Sequence, residues 1–288
     1  MILAVASGKG GTGKTLVATS LALSLKDIER VQFLDCDVEE PNGHILLRPK
    51  IIEVNAVYIP VPRIDKARCT FCGECARVCA YHAIVVMNNH VLTFPQLCHG
   101  CGACCYLCPE KAISEEYRET GIVESGFSDG LKFIHGKLNV SEAMAPPVIR
   151  KVKQTAGAGG LIIIDAPPGT SCPVVETIKG SDFCILVTEP TPFGLNDLAL
   201  AVEMVRTLGI PAGVVLNRVG VGDSGVDQYC RRENIPILMT IPLEMQIARL
   251  YSRGIPLVEG LPHWREKFLE LYDKIKECLD ERNRGIER

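Results

Sequence analysis

Ser7-Gly8-Lys9-Gly10-Gly11-Thr12-Gly13-Lys14-Thr15 is the stretch on which the fold turns. A short apolar run, Ile2–Ala6, precedes it, and Leu16, Ala18, Leu21, Ala22 and Leu25 follow at helical spacing. Strand, glycine loop and helix in that order suit one job. Glycines let backbone N–H groups curl around phosphate oxygens, and the helix N-terminus adds its positive dipole. Gly8-x4-Gly13-Lys14-Thr15 fits the Walker A pattern in full. Gly8, Gly10, Gly11, Thr12 and Gly13 are expected to cradle phosphates, Lys14 to reach the β- and γ-phosphates, and Thr15 to hold Mg²⁺.

Outward from the loop, Val31–Leu34 forms a second apolar strand that ends in Asp35-Cys36-Asp37. Such alternation of buried strands and helices predicts an α/β fold with a mostly parallel sheet covered by helices. The rhythm stops near residue 61 and resumes near 116. Leu161–Ile164, ending in Asp165, Phe183–Thr188, Ala212–Leu216, ending in Asn217, and Ile237–Thr240 read as strands. Gly194–Leu208 and His263–Leu279 read as helices. The last helix carries an apolar stripe of Trp264, Phe268, Leu271, Ile275 and Cys278, expected to pack on the sheet. Its polar face holds Glu266, Glu270, Asp273, Glu277 and Asp280, which does not suit an anionic membrane.

The interruption is rich in cysteine. Nine of the 14 cysteines fall between Cys69 and Cys108. Cys69, Cys72, Cys75 and Cys79 recur 29 residues later as Cys98, Cys101, Cys104 and Cys108, and Ala83-Ile84 recurs as Ala112-Ile113. Cys-x2-Cys-x2-Cys-x3-Cys, twice, is the spacing of a two-cluster bacterial-type ferredoxin. There the fourth cysteine of each run serves the other cluster. One [4Fe-4S] cluster is thus expected on Cys69, Cys72, Cys75 and Cys108, and another on Cys98, Cys101, Cys104 and Cys79. Zinc is the competing ligand for thiolate quartets, and a duplicated run with a remote fourth cysteine suits it poorly. Cys105 is surplus and expected to point away. His99 is read as a hydrogen-bonding neighbour. Cys36, Cys184, Cys230 and Cys278 are read as core. Cys172, in Ser171-Cys172-Pro173, is read as structural, with a redox or transient ligand role as the alternative. The domain division is residues 1–60 and 116–288 for the nucleotide-binding part, with an inserted small α+β ferredoxin domain at 61–115.

The second lysine of the loop, Lys9, makes the sequence resemble the MinD/ParA/Mrp superfamily of P-loop ATPases, which includes the nitrogenase iron protein. That resemblance implies an ATP-dependent sandwich homodimer in which Lys9 reaches the partner's nucleotide. It implies that Asp37, in a switch segment with Pro41-Asn42, positions the attacking water. Ile162-Ile163-Ile164-Asp165-Ala166-Pro167-Pro168-Gly169 resembles the family's Walker B and second switch, so Asp165 is expected to bind Mg²⁺. Asn217 matches an adenine-contacting asparagine, with a strand-end cap as the plainer role. ATP and ADP as ligands follow from the same resemblance. The layout suggests ATP hydrolysis coupled to electron transfer, with an unidentified redox partner protein. Two alternatives stand beside it: an iron–sulfur carrier or assembly factor, and a positioning ATPase with a redox-sensing module.

Composition agrees with an ordinary globular chain. Net charge is −3 over 288 residues, so no nucleic acid is expected as partner. No stretch approaches ~20 uninterrupted apolar residues, and no signal peptide is recognised, so a cytoplasmic location is expected.

Overall fold

A computed structural model describes residues 1–286; the last two residues of the 116–288 segment lie outside the described residues. The chain opens with β1 (Ile2–Ala6), α1 (Lys14–Leu25), β2 (Val31–Asp35), α2 (Gly43–Leu47) and β3 (Lys50–Ile64). The cysteine-rich stretch holds α3 (Glu74–Val78), β4 (Ile84–Met87), β5 (His90–Thr93) and α4 (Ala103–Tyr106). Then come β6 (Ile113–Ser128), β7 (Leu131–Leu138), α5 (Ala145–Thr155), β8 (Leu161–Asp165), α6 (Cys172–Ile178), β9 (Phe183–Thr188) and α7 (Pro192–Thr207). The chain closes with β10 (Ala212–Val219), α8 (Gly225–Arg232), β11 (Ile237–Pro242), α9 (Met245–Ser252), α10 (Leu257–Gly260) and α11 (Trp264–Ile286).

The main sheet has nine strands in the order β11-β10-β9-β1-β8-β2-β7-β6-β3. Strands β11 through β7 are parallel, whereas β6 and β3 add on antiparallel at one edge. The pleat sends alternate residues of β1 to opposite faces. Leu3 and Val5 join the core beneath α1 and α11, and Ala4 and Ala6 the core beneath α6 and α7. Burial on both faces explains why the central strands read as unbroken apolar runs. In α11, Trp264, Phe268, Leu271 and Ile275 are buried in the first of these cores, with Cys278 packed at its margin. The stripe therefore faces the body of the protein.

The antiparallel edge was not legible as such. β3 pairs with β6 along its whole length, from Lys50↔Phe127 to Ile64↔Ile113. β7 covers β6 only from Gly121 to Ser128. The remaining part of the β3–β6 pair therefore runs on as a two-stranded ribbon, roughly 25 Å long at about 3.3 Å per residue. Residues 65–112 sit at its tip, and the strands run unbroken through the 60/61 and 115/116 junctions. A change in composition marks where cysteines begin, whereas the backbone ladder ignores it.

The 29-residue repeat has a backbone counterpart. Phe71 and Gly100 share a left-handed φ (55° and 65°), as do Gly73 and Gly102 (82° and 71°) and His82 and Lys111 (52° and 48°). Gly73 and Gly102 cap the two short helices α3 and α4. Ala83, Ile84, Ala112 and Ile113 are all buried. Identical spacing has produced two like half-modules.

Across the sheet, Glu124 of β6, His135 of β7, Asp35 of β2 and Asp165 of β8 occupy neighbouring register positions. His135 is buried; its Nε2 lies 2.6 Å from the Glu124 carboxylate, and its Nδ1 has no partner. Burial, with Lys137 and His44 beside it, pulls the His135 pKa below the usual value despite the opposing pull of Glu124. The unfolded chain therefore binds the proton more readily, and the stability due to this group is lost as pH falls below the ordinary histidine range. We expect His135→Gln to destabilise less at about pH 5.5 than at about pH 8. Urea midpoints of the two chains across that range measure the gap, and a gap that widens on acidification contradicts the assignment.

Candidate functional site

The loop between β1 and α1 is shaped by close approach. A Cβ at Gly8 would lie 2.1 Å from the Asp197 carbonyl oxygen of α7. Gly13, at φ 96°, caps α1, and a Cβ there would lie 2.4 Å from Asn217 Nδ2. The loop ends with Lys14 buried and Thr15 half-buried, while Gly10 and Gly11 face solvent. Burial lowers the Lys14 pKa, and the carboxylates of Asp165, Asp37 and Asp35 act in the other direction.

Those three carboxylates arrive from two adjacent strand ends. Asp35 Oδ1 accepts the Asp37 N–H (3.1 Å), and Oδ2 accepts the Gly43 N–H (2.8 Å). Asp35 thus folds residues 37–43 over the loop. Desolvation and the nearby Asp165 push its pKa far up. Asp37 is pushed up to about 6 by burial, against the pull of Lys14. Asp165 is fully buried and pushed up to about 7 by desolvation, with Thr15 and Lys14 pulling it down. Thr15 stands near Asp165, yet among the described residues neither carboxylate oxygen makes a hydrogen bond of normal geometry, and Thr12 Oγ1 of the loop is likewise unpartnered. Buried polar atoms are nearly always satisfied. A hard oxygen-only set of Asp165 and Thr15 at a phosphate loop fits Mg²⁺, which takes one or two protein oxygens plus phosphates.

Next to the loop, Leu16, Asn217, Arg218, Pro242, Ile247 and Tyr251 line a cavity that also reaches Gly11 and Gly13. Its apolar walls suit a planar base. Asn217 is engaged at both ends of its amide: Nδ2 donates to the Thr12 carbonyl (2.7 Å), and Oδ1 accepts the Arg218 N–H (2.9 Å). Its visible role is to tie β10 to the phosphate loop, and its second amide hydrogen and second oxygen lone pair leave it able to meet a base in the cavity it lines.

Lys9 has a partner that the sequence did not disclose. Its Nζ lies 3.3 Å from Glu189 Oε2 at the end of β9. Arg218 also pairs with Glu189 and donates from Nη2 to the Gly11 carbonyl (3.1 Å). Glu189, Arg218 and Tyr251 are site residues that sequence reasoning missed. An acidic residue directly after a buried strand, in Thr188-Glu189-Pro190, was the available signal for the first.

At the ribbon's far end, two separate cavities lie under the repeated half-modules. Cys69, Cys72, Cys75 and Cys108 line one, and Cys79, Cys98, Cys101 and Cys104 line the other. Each cavity therefore receives three thiols from one repeat and one from the other. The two crossing cysteines have matching surroundings: Ala83 N–H donates to Cys79 Sγ (3.2 Å) and Ala112 N–H to Cys108 Sγ (3.3 Å). Cys105 lines neither cavity and gives its thiol to the Ile113 carbonyl (3.0 Å). His99 stacks on Tyr81 with ring centroids 3.4 Å apart. Among the described residues, no three His, Cys, Asp or Glu side chains converge as a single-ion site requires. Of the other cysteines, Cys36, Cys184 and Cys230 are buried, Cys278 is half-buried, and Cys172 is exposed at the start of α6. Among the described residues no helix is long and apolar enough to cross a membrane.

Comparison with known proteins bears on this geometry. An uncharacterized protein of Methanocaldococcus jannaschii is 33% identical over 286 residues, covering 97% of this chain and 98% of that protein. The iron-sulfur cluster carrier protein of Pyrococcus horikoshii is 26% identical, covering 97% of this chain and 86% of its own. Among solved structures, the septum site-determining protein MinD of Pyrococcus horikoshii, complexed with Mg-ADP, superposes with a TM-score of 0.60 at 18% identity, covering 95% of each chain. The model of the CobQ/CobB/MinD/ParA nucleotide binding domain matches residues 3–257. With a phosphate loop, two aspartate-bearing strand ends and a base-sized cavity in one place, the chain belongs to the CobQ/CobB/MinD/ParA nucleotide-binding family.

Proposed function

We propose that this protein is a Mg²⁺-dependent ATPase that holds two [4Fe-4S] clusters and couples ATP-dependent homodimerisation to electron transfer through them. The observation that carries the reading is the pair of four-cysteine cavities, each drawing three thiols from one repeat and one from the other. Thiols that line a space without meeting at a point suit four separated irons better than one zinc held at about 2.3 Å from each sulfur. Backbone N–H bonds to Cys79 and Cys108 are of the kind that tune such clusters. When bound, the clusters supply one-electron storage.

At the nucleotide, Lys14 neutralises the β- and γ-phosphates and Thr15 and Asp165 hold Mg²⁺, which when bound offsets phosphate charge. Asp37 orients the attacking water, held in place by Asp35 through its own N–H. Phosphoryl transfer asks for little beyond such positioning and charge neutralisation. Lys9 reaches the nucleotide of a second copy. The link to the clusters is short in sequence: residues 37–43 lead into α2, and β3 of the ribbon begins at Lys50. The Ser128 hydroxyl of β6 also donates to the Leu47 carbonyl of α2. A shift of the switch segment thus acts on the in-sheet ends of β3 and β6, the same two strands whose far ends form the ribbon.

A second reading is favoured by the names of relatives, several of which are iron-sulfur cluster carrier proteins. A carrier gives up its clusters to an apo-acceptor, whereas an electron-transfer ATPase keeps them through turnover.

Anaerobically purified protein is expected to carry about eight iron and eight sulfide per chain. Cys69→Ser with Cys108→Ser is expected to remove one cluster and leave about four iron, because both residues serve the same cavity. Loss of both clusters from that pair would rule out the crossed arrangement. For hydrolysis, Lys14→Ala is expected to weaken ATP binding. Asp37→Ala is expected to bind ATP but to turn it over about 100-fold or more slowly, as for loss of a general base. Normal turnover by Asp37→Ala would remove Asp37 from the mechanism.

A further inference from the structure

Glu189 joins three parts of the nucleotide site. It stands directly after β9, is 8% exposed, and pairs with Lys9 from the phosphate loop and Arg218 from β10. Arg218 is itself pinned: its second guanidinium nitrogen donates to the Gly11 carbonyl, and its N–H donates to Asn217 Oδ1. Its backbone sits at φ 59°, a region that L residues adopt at a cost and keep only when the surroundings over-determine it. Lys9 is held more loosely. Among the described residues its one ion pair is with Glu189, and a third of its side chain is exposed. A carboxylate this buried requires at least one cation, since stranding it alone would be strongly unfavourable. It has two.

We propose that Glu189 is a latch that holds Lys9 within its own subunit, and that Arg218 is the cation that allows the latch to open. This rests on the reading that Lys9 acts on the nucleotide of a second copy. When Lys9 swings out to a partner's phosphates, Glu189 keeps Arg218, so no buried carboxylate is left unpaired. Lys9 is then the object of a competition between one carboxylate in its own chain and the triphosphate across the interface. The added γ-phosphate tips that competition, which makes dimerisation selective for ATP over ADP. Because Arg218 also lines the base cavity and bonds to Gly11, the latch is set by residues that surround the nucleotide. Two latches open per dimer, so their energies add and the factor due to each is squared in the association constant.

The test uses full-length holoprotein carrying Asp37→Ala to suppress hydrolysis, at saturating ATP or ADP, with sedimentation velocity across a range of protein concentrations. Bound nucleotide is measured in each sample so that altered occupancy is not mistaken for altered association. Glu189→Gln is expected to lower the concentration of half-dimerisation by about three- to tenfold with ATP, and to allow some dimer with ADP. Arg218→Gln leaves Lys9 as the only cation on Glu189, and is expected to raise that concentration. Opposite shifts from two partners of one ion pair are not what a merely structural role produces, because misfolding would weaken both. If Lys9→Ala dimerises normally with ATP, the trans role of Lys9 fails and the latch fails with it. If Lys9→Ala is monomeric but Glu189→Gln and Arg218→Gln shift in the same direction or not at all, the dimer reading stands and the latch is wrong.

Discussion

Asp35 and Asp165 stand opposite each other at the ends of adjacent buried strands, and the site is arranged around the difficulty of keeping two carboxylates there. Each is pushed up by desolvation, Asp165 pushes Asp35 up further, and the nearby Asp37 pushes up both. Asp35 is made tolerable by two backbone N–H groups, from Asp37 and Gly43, and in accepting them it folds the switch segment over the phosphate loop. Lys14 is buried against the same carboxylates, which offset part of its own desolvation. Asp165 receives no comparable donor. Its environment suits a divalent cation brought in with a nucleotide, which would offset the charge of the two strand ends.

The same register carries the constraint sideways. From Asp165 and Asp35 the row continues through His135 to Glu124, which lies on β6, one of the two ribbon strands. His135 bonds Glu124 in the interior, and Lys137 pairs with the same carboxylate nearer the surface. The edge of the sheet that supports the cysteine module is thus held by polar contacts, not by apolar packing alone. Polar pairs of this type set position more sharply than hydrophobic contact, since a lost partner leaves a buried group unsatisfied. The two strands that form the ribbon are held within the sheet next to α2 at one end and at this row further along. The cysteine module and the aspartate-bearing strand ends are thus connected through one continuous sheet.

Much of this was open to inspection in the sequence. Ser7–Thr15 between a strand and a helix specified the phosphate site because few backbones other than a glycine loop bring that many N–H groups together. The β1, β8 and β9 strands were legible as continuous apolar runs and β2 as one broken by Gln32, the mark of strands buried on both faces. The duplicated cysteine spacing predicted two quartets with crossed fourth members, and the residues lining the two cavities divide along the same lines. What remained hidden were contacts between residues distant in the chain. β3 and β6 alternate weakly and carry many exposed residues, so the ribbon's antiparallel pairing left little periodic signal. Asn217 was recognised by position, but its two hydrogen bonds depend on where β10 falls beside the loop. Glu189 met Lys9 and Arg218 only because β9, β1 and β10 are neighbours in the sheet. The candidate chemistry could be read along the chain, because a phosphate loop and a thiol repeat are matters of local spacing. The tertiary structure alone decided which charges face each other, because strand order brings together residues whose separation along the chain bears no relation to their separation in space.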